Sequence, residues 1–561
     1  MRKALAAVAI AALCFAFWVA HRGAYQGYFF DDDLDNISWT RTMPPAEFAT
    51  GAISPRYFPQ HFRPLGHFTY YALANTAGLD YKPYVGTIHV LHGLAAVAVF
   101  FLLRRLGLDE LASALGATYF LFAVAAFDAL WRPMYLFDVW CGLLCALALL
   151  SYVSGRTILA VVCFWFAYKA KEQAVMLAPV LLAYEWLVGK REWKRVVPFL
   201  VVAASFSIQA MLHNQEQGPT YRLQLTLPAL VQTSSYYASR ILLGPYLGLA
   251  IVLAILRFVP DRRARFGLLA CLLLFGPMLF LPAKMSNAYI YVPLLGMTVA
   301  IATALSKLPR WAAVAAMGIW LTMSYGVLRD HRKAHLTYAQ ENHAYVDALR
   351  KLATEHPDAS RFVYDGNPAE MRPWGIQGAL RVAFRNPKVE VVPADEKGLS
   401  KLFEGGPVAL LHWDPIFHKL STAVRSPGEP DASYLSMERV MPIWQLESGW
   451  YQADGKFRWT QPKAVARLWR PADAKQFEIA VNVGPQYISD VKVSRIRVLL
   501  DGKEIGVAEF REQGWQTKQF ALAAAPAGTV RVQLECEPPY MPPTEQGGRF
   551  LGSAIGGIGF R

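Results

Sequence analysis

Apolar runs of membrane-spanning length recur through the first 330 residues, near 4–20, 84–103, 111–128, 136–153, 157–170, 174–189, 196–212, 237–256, 266–282, 288–305 and 310–328. A helix needs roughly 17–25 mostly apolar residues to cross a bilayer, so the pattern predicts about eleven transmembrane helices. After Asp330 the pattern changes. Residues 331–356 read as an amphipathic helix, and short apolar runs at 361–364, 389–392 and 408–412 alternate with helix-like stretches. From about 440 the positions alternate with period two between turn residues, at 464–469, 476–483, 491–500, 504–510, 517–522 and 529–535, which predicts a β-sandwich or jelly roll. The expected chain is a multispanning α-helical membrane domain at 1–330, an α/β domain at 331–435 and a β-sandwich at 436–561.

Composition agrees. Of 561 residues, 54% are hydrophobic and 17% charged, which excludes an ordinary soluble protein. The net charge of +14 does not point to nucleic acid, because Lys and Arg are dispersed between the apolar runs instead of gathered on one polar segment. With Met1-Arg2-Lys3 on the cytoplasmic side, alternate loops carry Arg104-Arg105, Arg156, Lys190-Arg191 with Lys194-Arg195, Arg257 with Arg262-Arg263 and Arg265, and Lys307 with Arg310. That is the positive-inside pattern, and an odd number of spans then places the C-terminal domains outside. No small-residue cleavage site precedes His21-Arg22, so the first run reads as a retained anchor. Few Asn-x-Ser/Thr sites favour a bacterial cytoplasmic membrane with the C-terminal part in the periplasm. Five of the six cysteines lie inside apolar runs, which argues against a disulfide framework.

Against this background one stretch stands out: Phe29-Phe30-Asp31-Asp32-Asp33-Leu34-Asp35-Asn36, just outside the first span. Clustered carboxylates at a membrane surface repel one another and resist desolvation, so they call for a cation, a proton or a substrate. The outer side should be poor in Lys and Arg, yet it holds Arg63, Arg132, Lys169, Lys171 and Lys284. Snorkelling explains any one of them; together, beside several acids, they suit an anionic group such as a lipid-linked phosphate. The first outer loop, 21–83, is rich in Tyr and Phe, with Trp39 among them, and reads as short amphipathic helices along the membrane. A second, about 213–236, carries His213-Asn214-Gln215-Glu216-Gln217, placed to close over a site.

These motifs together resemble the multispanning GT-C glycosyltransferases, in particular the transmembrane O-mannosyltransferases that carry TPR repeats and their bacterial relatives. The resemblance rests on the paired Asp within 30–37, on Phe62-Arg63-Pro64-Leu65, on Asn75, Gly78 and His92, and on Asp128 and Asp138 ten positions apart. Lys171-Glu172-Gln173 and Tyr289-Ile290-Tyr291-Val292-Pro293 continue it, so that it covers roughly 28–300. The chain departs from the family where a Glu-Arg pair usually precedes the late Tyr: here stand Asn287-Ala288, with Lys284 nearby to supply a cation. Asp128 replaces the usual Glu, and no 34-residue repeat follows residue 330.

The resemblance implies transfer of a mannose-like hexose from a polyprenyl-phosphate donor to a protein, glycan or lipid acceptor at the outer membrane face, in building or modifying the cell envelope. Asp32 or Asp33 would be the general base, with Asp32 preferred, and Asp31 and Asp35 would be like-charged neighbours or helix caps. Arg63, Lys171 and Lys284 would bind the donor phosphate. Asp128, Asp138, Glu172, His92 and Tyr291 would orient substrate, and Asp32, Asp33 and Asp128 are the candidate ligands should Mg²⁺ or Mn²⁺ be required. His89 and His92 share a helix face, but without a third ligand they read as polar packing. No P-loop, dinucleotide fingerprint or Gly-x-Ser-x-Gly elbow is present, which favours a lipid-linked donor over a nucleotide sugar. In the C-terminal part, Asp365-Gly366 and Asp414-Pro415 follow strands and suit either a site or a turn. Gly449-Trp450-Tyr451 and Arg458-Trp459-Thr460 resemble a sandwich module attached to some bacterial membrane glycosyltransferases, with its aromatics serving as core or as sugar contacts. A transporter or flippase of lipid-linked sugars, and a non-catalytic glycan-binding scaffold, are the alternatives; the concentration of charge at one face counts against transport.

Overall fold

The computed structural model describes residues 2–58, 62–213, 221–394, 402, 406–426, 429–437, 442–541 and 550–561. The chain divides into two compact units, Met1–Gln340 and Glu341–Arg561.

The first unit is helical. Helix α1 (Arg2–His21) leads through the turn Arg22–Gln26 to three short helices, α2 (Asp31–Thr40), α3 (Pro45–Ile53) and α4 (Pro64–Thr76), as the aromatic loop predicts. There follow α5 (Tyr81–Arg105), α6 (Glu110–Leu121), α7 (Phe127–Trp131), α8 (Leu136–Val153), α9 (Thr157–Ala170), α10 (Leu177–Leu187), α11 (Val197–His213), α12 (Leu227–Ile241), α13 (Pro245–Phe258), α14 (Arg262–Phe275), α15 (Leu294–Leu305) and α16 (Arg310–Glu355). Among the described residues six helical segments are long and apolar enough to cross a membrane: Val8–Gln26, Tyr81–Arg105, Glu110–Trp131, Pro133–Val153, Arg262–Phe280 and Arg310–Glu355. Thr157–Ala170, Val197–His213 and Leu294–Leu305 are apolar but shorter.

Two expected elements differ. The run 237–256 is not one helix, because Leu243 (φ 60°) and Gly244 (φ 148°) turn the chain and Pro245 opens a new helix. The span at 310–328 and the amphipathic helix at 331–356 are instead a single 46-residue helix, α16. Nothing in Asp330-His331-Arg332-Lys333 breaks a helix, so the change from apolar to polar surface occurs without a change of conformation. Residues 214–220, expected to help close a site, lie outside the described residues.

Small residues set how closely the helices approach. A Cβ on Gly296 would lie 2.2 Å from the backbone N of Cys271, and one on Gly267 would lie 2.5 Å from the N of Ala300, so α14 and α15 touch backbone to backbone.

The second unit contains two sheets. The first has strand order β2-β1-β3-β4 from β1 (Arg361–Asp365), β2 (Glu390–Pro393), β3 (Val408–Asp414) and β4 (Lys419–Arg425). Strands β1, β2 and β3 are parallel, with α17 (Pro373–Phe384) in the crossover, whereas β3 and β4 form an antiparallel hairpin. The second is a nine-stranded, β-sandwich-like assembly containing β5 (Tyr434–Ser436), β6 (Leu446–Asp454), β7 (Phe457–Arg470), β8 (Gln476–Val483), β9 (Ser494–Leu500), β10 (Lys503–Phe510), β11 (Gly514–Ala521), β12 (Gly528–Glu537) and β13 (Ala554–Phe560). The first half of β7 pairs with β13 and its second half with β12, so this bent strand passes from one part of the assembly to the other. Val363 and Leu410 of the first sheet belong to the same apolar cluster as Leu435, Phe477, Ile479 and Ile558. The segments that the sequence separates at 435 therefore share one core.

Candidate active site

The aspartate cluster folds as the start of α2. Asp31, Asp32 and Asp33 occupy its first turn, where unpaired N–H groups and the helix dipole favour negative charge. This is part of the answer to how the carboxylates coexist. The other part is division of labour. Asp33 is fully buried: its Oδ2 accepts the Phe30 N–H at 3.0 Å and its Oδ1 accepts the Tyr70 hydroxyl at 2.6 Å. Burial pushes its carboxyl up to about 7, against the pull of those two hydrogen bonds. Asp32, next to it, is exposed.

Two further groups of charges lie around α2 and α4. His67 ties these helices together, with its Nδ1 accepting the Arg63 N–H at 2.9 Å and its Nε2 facing Asn36 Oδ1 at 3.2 Å. Arg63 makes a forked pair with Glu172, its Nη2 and Nε lying 2.9 and 3.1 Å from the two carboxylate oxygens, and its guanidinium stands 5.4 Å from the Phe137 ring centre. Lys171 forms a buried ion pair with Asp138 and has its Nζ 4.9 Å from the Tyr289 ring centre. Arg63 and Asp138 also interact electrostatically, so Arg63, Glu172, Lys171 and Asp138 constitute one balanced cluster.

On the other side, Arg132 lies over the Phe30 ring at 4.5 Å, interacts electrostatically with Asp33, and has Nε 3.8 Å from Asp128 Oδ1. Asn287 then bridges, donating to Asp128 Oδ2 at 2.9 Å and accepting from the Tyr236 hydroxyl at 2.9 Å.

The structure thus links Asp33 and Asp128 through Arg132, with Asp32 beside Asp33, and joins Arg63, Asp138, Lys171 and Glu172 in a second group. Three expected residues have other immediate partners. Lys284 has its Nζ 5.1 Å from the Tyr221 ring centre and makes no ion pair among the described residues. His92 and Tyr291 are fully buried and bond each other, Nδ1 to hydroxyl, at 2.8 Å, while His92 Nε2 faces the Leu121 carbonyl at 3.1 Å. Their partners are taken within the bundle, and the Tyr291 ring packs on Gly142, one helical turn along α8 from Asp138. Lys169, one of the unexpected outer cations, is buried with its Nζ between 5.0 and 5.8 Å from the rings of Phe58, Trp165, Tyr168 and Phe206, and it donates to the Arg56 carbonyl.

The candidate metal ligands Asp33 and Asp128 have partners of their own. Both oxygens of Asp33 accept hydrogen bonds, Asp128 binds Asn287, and the charge of Arg132 acts on both residues. Among the described residues no three His, Cys, Asp or Glu side chains are grouped to hold an ion.

In the second unit, Asp365 is buried between Arg458 and His412 Nδ1, the latter at 2.9 Å. Burial opposes its ionisation, yet the His412 hydrogen bond and the Arg458 charge hold the carboxyl below its usual range. Asp414 accepts the N–H groups of Ile416 and Phe417 at 2.8 and 3.0 Å, which is turn chemistry. Trp450 donates to the Val465 carbonyl, and both it and Trp459 pack against the core.

Sequence reasoning overlooked Tyr70, His67 and Tyr236. Tyr70 and His67 lie in the aromatic first loop, but nothing in their spacing pairs them with Asp33 or Asn36.

No family model matches the chain, and no curated protein matches it. Among solved structures it is similar to ArnT from Cupriavidus metallidurans in the apo state, with 13% sequence identity and a TM-score of 0.48 over 74% of this chain and 94% of that one. The same figures hold for ArnT bound to undecaprenyl phosphate. It is also similar to the arabinofuranosyltransferase AftD from Mycobacteria, with 11% identity and a TM-score of 0.44 over 97% of this chain and 58% of that one.

Proposed function

We propose that the chain is a multi-pass membrane glycosyltransferase that moves a hexose from a polyprenyl-phosphate donor to an acceptor hydroxyl at the extracytoplasmic face of a bacterial cytoplasmic membrane. One observation carries the reading: an exposed aspartate, Asp32, sits beside a buried and doubly hydrogen-bonded one, Asp33, in a helical membrane unit that also holds Arg63, Lys171 and Arg132. The motif resemblance over 28–300 supports the same assignment.

In this reading Asp32 is the base. It takes the proton of the acceptor hydroxyl as that oxygen bonds to the anomeric carbon, while the bond from that carbon to the phosphate oxygen breaks and the electron pair leaves with the phosphate. Asp33 positions the turn through Tyr70 and the Phe30 N–H. The Arg63–Glu172 and Lys171–Asp138 pairs supply preorganised charge near the leaving group, with the cations held by their carboxylates before substrate arrives.

The test is transfer of radiolabelled sugar from polyprenyl phosphate mannose or glucose by purified protein in lipid. Asp32→Asn should abolish transfer with unchanged thermal stability, whereas Asp33→Asn should lower both. A wild-type protein that consumes no donor but binds glycan would replace this reading with that of a scaffold.

A further inference from the structure

The expected phosphate-binding cations, Arg63 and Lys171, each already face a carboxylate. A different arginine does not. Arg240, near the end of α12, lies with its guanidinium 3.6 Å from the Tyr236 ring centre and donates through Nη1 to the Tyr236 carbonyl and the Ser239 hydroxyl at 3.2 and 3.1 Å. It has no carboxylate partner among the described residues, and a guanidinium carries five N–H donors.

Arg240 lines a cavity of about 270 Å³, with Ser239, Asn287 and His331 as further polar walls and Phe127 and Leu243 among the apolar ones. Asn287 spends one N–H on Asp128 and accepts from the Tyr236 hydroxyl, and the second N–H of its amide has no partner among the described residues. Among the described residues no carboxylate lines the cavity. The backbone there is also strained: Leu243 adopts φ 60°, a conformation that costs a branched side chain energy and recurs at ligand-binding positions. That turn separates α12 from α13.

We infer that this cavity, between α12, α16 and the turns at 124–127 and 287–290, is a binding site for the phosphate group of a membrane lipid, with Arg240 as its main anion contact. The chemistry is that of the wall: forked guanidinium donors match phosphate oxygens, His331 and Asn287 add donors, and the apolar residues suit the adjoining hydrocarbon. Two sources share this chemistry, a polyprenyl phosphate and the headgroup of an anionic phospholipid. The inference rests on the glycosyl-transfer reading only for the first of these.

The test measures lipid binding to the full-length protein in detergent by native mass spectrometry, with a long-chain polyprenyl phosphate and with phosphatidylglycerol as separate probes. Arg240→Gln should weaken binding of at least one probe by about tenfold, the worth of a charge-assisted contact, and Arg240→Lys should recover part of it. Ala125→Phe, which fills the cavity from its apolar wall and keeps the arginine, should act in the same direction and guards against a folding defect of the arginine variants. Loss of the polyprenyl phosphate alone identifies the isoprenoid ligand, and loss of phosphatidylglycerol alone identifies a phospholipid. Unchanged binding of both probes in folded Arg240→Gln and Ala125→Phe overturns the site. The readout needs no sugar transfer, so failure of the enzyme reading would leave this result standing.

Discussion

The Tyr70 hydroxyl donates to Asp33 Oδ1 at 2.6 Å, and both side chains are fully buried. Because α4 holds Tyr70 and α2 holds Asp33, this bond fixes the first turn of α2 and with it the direction in which the neighbouring Asp32 leaves the chain. A carboxyl raised to about 7 by burial changes charge near neutrality.

Its effect on stability has a definite sign. In the unfolded chain Asp33 ionises near the ordinary carboxylate value of about 3.9, and in the folded protein near 7. Its contribution to stability is therefore full below the lower value and is lost as pH rises through the upper one. The Tyr70 bond favours the charged form, so Tyr70→Phe should move the upper limit to higher pH while costing about 1–3 kcal/mol for the unsatisfied buried carboxyl. Thermal unfolding of the purified protein between pH 4 and 8 checks this: Asp33→Asn should flatten the profile, and an unshifted profile in Tyr70→Phe counts against the bond.

Much of the helical unit was legible because lipid-facing helices must be apolar at nearly every position, a signal strong enough to locate each run. The error at 237–256 arose because hydropathy does not register backbone turns: Leu243 and Gly244 are as apolar as their neighbours, and only the Gly244-Pro245 pair hints at the break. Strand β13 was missed for a related reason. Its Ala-Ile-Gly-Gly-Ile-Gly-Phe is buried throughout and so lacks the period-two alternation of a half-exposed strand. At the site, charge brings Asp32 and Lys171 into view and the family resemblance adds Asp128 and Asp138, whereas the cavity at Arg240 depends on tertiary contacts between segments more than one hundred residues apart. His92 and Tyr291 look alike in sequence whether they meet substrate or each other, and here they meet each other.

The Lys171–Asp138 pair makes a sharper demand. Both residues are buried, so removing either partner leaves an unpaired charge in a poorly solvated place. Lys171→Met or Asp138→Leu alone should lower stability by about 3–5 kcal/mol, whereas the double variant should recover most of the loss. A double-mutant cycle on thermal stability reads the coupling, and additive losses would show that the pair is not a unit. If the double variant is stable but inactive in sugar transfer, the pair's role lies in the chemistry.

In the second unit the direction of pH dependence reverses. Asp365 is held below its usual range, so its contribution is present above the ordinary carboxylate value and is lost as pH falls through the lowered one. Limited proteolysis of the full chain at descending pH should cut within 341–561 at a higher pH in Arg458→Met than in the wild type. Equal acid resistance would remove Arg458 from the account.

The close crossing of α14 and α15 provides a test of the membrane unit that involves no charge. A Cβ at Gly296 would meet the backbone at Cys271 N, Gly267 O and Ala270 C, at 2.2, 2.7 and 2.8 Å. Backbone cannot swing aside as a long side chain can, so Gly296→Val must push the helices apart instead of repacking locally, at a cost above the 1–3 kcal/mol of ordinary overpacking, roughly doubled. Gly93, on α5, offers the control, because a Cβ there meets nothing within 4 Å. Gly93→Ala should therefore leave the thermal midpoint unchanged or slightly raised, and Gly296→Val should lower it by several degrees or abolish purification of folded protein. Equal behaviour of the two variants would mean that α14 and α15 do not cross through these glycines.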